Sequence, residues 1–74
     1  MSGRSRSIQR LWRVRKRYAY IDAEIQPLGS EWELQITRNG RRLVSWRFPD
    51  REAASAEAAS RLRELERSGW HSHW

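Results

Sequence analysis

Residues 13–20 read Arg-Val-Arg-Lys-Arg-Tyr-Ala-Tyr, the segment of this chain whose residue types come closest to recognisable chemistry. Clustered cations neutralise phosphates and release counterions, and tyrosines beside them can stack on unpaired bases. The candidate nucleic-acid contacts are therefore Arg10, Arg13, Arg15, Lys16, Arg17, Tyr18 and Tyr20, with DNA or RNA as partner. The competing role for the two tyrosines is plain structural cover on the outer face of a sheet. His71 and His73 flank Ser72 near the C-terminus. Two histidines hold a metal only loosely, because a closed site needs further ligands and a supporting shell. Asp22, Glu24, Glu31 and Glu33 could share a sheet face, but an open face neither excludes water nor shifts a carboxylate. With no phosphate-binding loop and no dinucleotide fingerprint, no catalytic residue, no metal and no cofactor are expected.

The elements that must position these residues fit into 74 residues without a cysteine, a length near the lower limit for a core without disulfides or metals. Five tryptophans suit that need, since aromatic side chains bury the most area per residue. The absence of cysteines fits a cytoplasmic protein; no apolar run approaches a membrane span, and no secretory segment is expected after Met1. The formal charge of +6 is unevenly spread. Residues 1–17 carry seven cations and no acid, whereas residues 18–74 carry eight arginines against nine acids. A basic arm thus precedes a domain close to neutral. Its first part, 2–7, is polar and self-repelling, and disorder is expected there.

The arm between Ile8 and Arg17 has two readings. Ile8, Leu11, Trp12 and Arg15 have helical spacing, while Trp12 and Val14 alternate with arginines as in a strand. Extended chain running into the first strand is the better fit. That strand, 18–26, sets Ala19, Ile21, Ala23 and Ile25 on one face and ends at Pro27. The second, 31–37, points Trp32, Leu34 and Ile36 the same way. Asn39-Gly40 then marks a hairpin. A three-residue loop 38–40 with a bulge pairs Leu34 with Val44 and Trp32 with Trp46. It puts Trp32, Leu34, Ile36, Val44, Trp46 and Phe48 on one face and Glu31 near Arg47 on the other. After the third strand, 41–48, Asp50 caps a helix over about 50–68 with Ala54, Ala58, Leu62 and Leu65 inward. Gly69 and Trp70 supply its stop, Trp70 reaching Leu65. Residues 71–74 read as a loose tail. The expected fold is α+β: a three-stranded antiparallel meander packed on one C-terminal helix, forming a domain over 18–70.

The run Trp32–Ile36, Asn39-Gly40, Trp46–Pro49, the Ala/Glu-rich helix and the ending Leu65-Glu-Arg-Ser-Gly-Trp70 is similar to a group of small bacterial proteins of unassigned function. The resemblance spans about residues 11–70 and implies this fold and a bacterial source, but no activity. In topology alone, three strands and a helix resemble AP2-type domains and the arm-binding domains of phage integrases, whose sheet face enters the major groove. Here that face carries Asp22, Glu24, Glu31 and Glu33, which phosphate-lined walls would repel. The resulting expectation is a non-catalytic nucleic-acid-associated protein that binds phosphates through its arm. The alternative is a protein-interaction module, homodimer or adaptor, using an edge strand and the surplus apolar residues Trp12, Leu43 and Trp74.

Overall fold

The computed structural model describes residues 8–72; the expected disorder at 2–7, and His73 and Trp74 of the expected tail, lie outside the described residues. Among the described residues five antiparallel strands form one sheet, and a single helix covers one of its faces. The elements are β1 (Gln9–Lys16), β2 (Ala19–Leu28), β3 (Glu31–Arg38), β4 (Arg41–Phe48), α1 (Arg51–Arg67) and β5 (His71–Ser72). The spatial order is β4-β3-β2-β1-β5. No described helix is long and apolar enough to cross a membrane.

The α+β meander with a C-terminal helix is as expected; the number of strands is not. Residues 9–16, assigned above to the arm, form a complete strand paired with β2 from Gln9↔Ile25 to Lys16↔Ala19. The reason lies in Trp12 and Val14. Both turn toward the helix and are buried, Val14 completely and Trp12 to 5% exposure. The Trp12 indole N–H donates to the Ala58 carbonyl at 2.9 Å, so the ring is satisfied as well as buried. Trp12 is thus a core residue and not surplus surface. A bulge between Arg10 and Trp12 leaves Leu11 out of the register, and alternation resumes beyond it.

His71 and Ser72 likewise differ from the loose tail expected of them. They pair with Arg15 and Val14 along the outer edge of β1, because the helix stop returns the chain there. Asp50 caps α1 by accepting from the Ala53 N–H at 2.8 Å. At the other end Gly69 takes a φ of 95°. Its N–H donates to Glu66 O at 3.1 Å and that of Trp70 to Leu65 O at 3.0 Å, the paired bonds of a glycine-terminated helix.

The Asn39-Gly40 hairpin puts the expected residues on the expected face by a different route. Arg38 pairs with Arg41, so the loop has two residues, with φ of 53° and 83° at Asn39 and Gly40. Two successive left-handed residues match the twist of the flanking strands. The bulge sits farther along, where the register jumps from Thr37↔Arg42 to Ile36↔Val44 and leaves Leu43 over. The pairs are accordingly Leu34↔Trp46 and Trp32↔Phe48, each displaced by two residues from expectation. Parity survives a shift of two, so Val44, Trp46 and Phe48 still share the face of Leu34 and Ile36. Pro27 lies within β2, not after it. It pairs with Trp32 one step from the Gly29-Ser30 turn, beyond the last β1 partner at Ile25, where a missing N–H breaks no ladder.

The core contains Trp12, Val14, Ile21, Ala23, Ile25, Leu34, Ile36, Ala54 and Ala58. The helix contributes only alanines to its buried part, so the large side chains come from the sheet. Truncating Trp12→Ala should lower stability by about 3–5 kcal/mol, and Trp12→Phe by about 1–3 kcal/mol through loss of the indole bond. Urea unfolding followed by circular dichroism checks both. Deleting residues 1–16 should leave a chain without a cooperative transition.

Candidate nucleic-acid interface

Incorporating the arm into the sheet separates the seven residues chosen from sequence. On the face away from the helix, Arg13 lies opposite Asp22. Its Nε and Nη2 donate to the two carboxylate oxygens at 2.6 and 2.9 Å. The guanidinium also lies over the Tyr20 ring, 4.3 Å from its centroid, with Arg15 at 5.9 Å on the same ring. Asp22 is buried, so this two-pronged bond satisfies a carboxylate that would otherwise be costly there. The Asp22 hydrogen bond is also the main reason the Arg13 pKa lies above its ordinary value; desolvation opposes the rise and the charge of Asp22 adds to it. Arg13 and Tyr20 are therefore committed within the protein. Arg10 is exposed near the start of β1, opposite Glu24 and far along the strand from the turn.

Lys16, Arg17 and Tyr18 remain together, at the turn between β1 and β2. In a meander the first and third turns fall at the same end of the sheet, so this turn lies beside Asn39-Gly40. The two are tied by a reciprocal pair of bonds: the Asn39 N–H donates to Tyr20 O, and the Tyr20 N–H to Asn39 Oδ1, both at 2.9 Å. The end of α1 arrives at the same place. The Lys16 ammonium donates to Ser68 O at 2.9 Å, a cation on the carbonyl end of a helix where the dipole favours it. Two cations approach Trp70, with Lys16 Nζ and Arg38 Cζ each 6.0 Å from its ring centroid.

The result is an open cleft of about 590 Å³ lined by Lys16, Arg17, Tyr18, Ala19, Arg38, Asn39 and Trp70. A second depression of about 380 Å³ adjoins it, where Arg41 and Leu43 join Arg38 and Asn39. No acid lines either one. Tyr18 is 101% exposed at the apex of its turn, an unusual position for a large ring with no packing role. Arg17 holds a φ of 57°, a left-handed conformation that glycine or asparagine adopts more easily. Arg38, Arg41 and Trp70 were not among the residues chosen from sequence. The signal for the arginines was present in the Arg-Asn-Gly-Arg-Arg run, read with the rule that alternate turns of a meander share an end. Trp70 had been explained fully by the helix stop.

Two carboxylates of the outer sheet face are paired away from these depressions. Glu33 accepts from Gln26 at 2.8 Å and lies 3.9 Å from Arg42, and Glu31 lies 4.0 Å from Arg47 as expected. Among the described residues no three His, Asp or Glu side chains cluster as metal ligands would. No protein family, curated protein or solved structure was found to match the chain. The geometry of this end of the sheet must carry any functional reading by itself.

Replacing Arg17 with glycine should relieve the left-handed backbone and raise stability by about 0.5–1 kcal/mol, a gain reduced by the entropy of glycine in the unfolded chain. A rise in the thermal midpoint of Arg17→Gly against the parent checks it.

Proposed function

We propose that this is a small non-catalytic, nucleic-acid-associated accessory protein that binds phosphates through the turn end of its sheet. One observation carries the reading. Lys16, Arg17, Arg38 and Arg41, drawn from two hairpins, line two adjoining depressions free of acids, with the rings of Tyr18 and Trp70 among them. Arg17, Arg38 and Arg41 supply the phosphate contacts. Lys16 adds field while remaining on the helix terminus, and Tyr18 offers a ring on which a base can stack. Relative to an arm that acts as a whole, the contact surface is narrower and includes residues distant in sequence. It also leaves Arg13 and Tyr20 as structural supports of that surface, not as contacts.

The reading is tested by titrating a fluorescent oligonucleotide against the full chain at several salt concentrations. Affinity should fall with salt at a slope of about −0.7 per phosphate contacted on a single strand, or about −0.9 on a duplex. Arg17→Ala, Arg38→Ala and Arg41→Ala should each weaken binding and make the slope shallower by about one contact. Arg63→Ala, on the exposed side of α1, should change neither. Equal losses from Arg63→Ala and Arg38→Ala would remove the basis for a localised site.

A further inference from the structure

We propose that the open edge of β4 and the groove beside it form a docking site for an extended acidic segment of another protein, one in which apolar and carboxylate side chains alternate. The surface adjoins the depressions at the turns and shares Leu43 with the second of them, but it runs along β4 away from that end and does not depend on the function proposed there.

β4 ends the sheet on one side. The opposite edge is partly covered by β5 on β1, whereas β4 has no outer partner among the described residues along its eight positions. An unpaired edge offers its outward N–H and C=O groups to an added strand. β4 is also the least buried long strand: none of its residues is fully buried, and Leu43 and Val44 are 58% and 39% exposed. The helix buries Ala54 and Ala58 against the core and leaves Leu62 and Leu65 half-buried. A groove of about 350 Å³ therefore opens between α1 and β4, its apolar wall made by Ile36, Val44, Trp46 and Leu65 and its helix side also carrying Arg61 and Glu64, so the groove takes the apolar side chains of an occupant and not its carboxylates.

The two faces of β4 set the chemistry of the occupant. Val44 and Trp46 point to the helix side, so an added strand would place every second side chain over the groove, where apolar groups fit. Its other side chains would fall on the outer face, beside Arg42 and Arg47. Those arginines are exposed, at 59% and 68% of their side chains, and their ion pairs with Glu33 and Glu31 are stretched to 3.9 and 4.0 Å. Pairs this long, with the arginine side open to water, contribute little, which leaves both guanidiniums able to take a carboxylate from a partner. β4 contains Arg41, Arg42 and Arg47 and no acid. Joining two copies along this edge would bring like charges together, and the segment 2–7, with Arg4 and Arg6 and no acid, has the wrong sign. A nucleic acid would match the charge but not the apolar groove. An acidic, alternating strand matches both.

The test uses the full chain labelled with nitrogen-15 and a synthetic peptide of about seven residues, the usual length of a strand, alternating valine and glutamate. Binding should shift and protect the amides of residues 41–48. Leu43→Glu and Arg47→Glu, both at exposed positions that leave the fold intact, should each weaken it by about tenfold or more. A peptide of the same composition, with its valines and glutamates in two blocks, should bind far less well. Equal binding of the block peptide would reduce the attraction to charge alone and overturn the proposal. So would shifts centred on residues 17, 18 and 38–40. Concentration-dependent dimerisation through β4, or shifts at residues 44–48 produced equally by a single-stranded oligonucleotide, would assign the edge to another occupant.

Discussion

The indole of Trp12 lies between the sheet and α1 with its N–H on the Ala58 carbonyl, and the rest of the architecture depends on that placement. A helix whose buried residues are Ala54 and Ala58 can approach a sheet closely, but it brings almost no volume of its own. Trp12 supplies that volume from β1, the strand nearest the beginning of the chain. Once it is seated, Val14 is buried beside it and β1 is held against β2. β5 can then pair with β1, and the helix end is brought over Lys16. A small domain without disulfides has few other ways to gather a core, and this one does it by recruiting a strongly basic segment.

That recruitment has an electrostatic consequence on the opposite face. A strand with Arg13 and Arg15 facing away from the helix needs counter-charge, and Asp22 provides it at the matching register position. The two-pronged Arg13–Asp22 bond, with Tyr20 stacked against the guanidinium, turns part of the positive excess into structure. At the turns, where a meander has no facing strand to supply an acid, Arg17, Arg38 and Arg41 gather around depressions that no acid lines. These cations thus form a local basic cluster at one end of the sheet. Salt screens its field over about 10 Å at ordinary ionic strength, so its effect is local to that end.

Much of this was legible in the sequence. Alternation in residues 19–25, 31–37 and 44–48 identified the faces of three strands, because a sheet with one dry side requires a period of two. The Asp50 cap and the Gly69-Trp70 stop followed from the few groups able to satisfy a helix end. Asn39-Gly40 marked the hairpin, but not the position of its bulge. A loop of three residues and a loop of two with a later bulge give the same facing, and hydrophobic pattern distinguishes only odd shifts from even ones. The arm was harder to read. Seven cations in seventeen residues carry the composition of a disordered tail, and its two buried positions, Trp12 and Val14, are too few to outweigh that signal locally.

By itself, then, the sequence determined the class of fold, the faces of the three central strands, both ends of the helix and the confinement of excess charge to a small part of the chain. Those properties depend on neighbours close in sequence or on a simple period. The tertiary structure alone decided that β1 belongs to the sheet, that Arg13 and Tyr20 are held by Asp22 and each other, and that Arg38, Arg41 and Trp70 join Lys16, Arg17 and Tyr18 at one end. Each of those outcomes rests on contact between residues far apart in the chain. Such contacts are fixed by the order in which strands pair and by where the helix closes over them, quantities that no local pattern encodes.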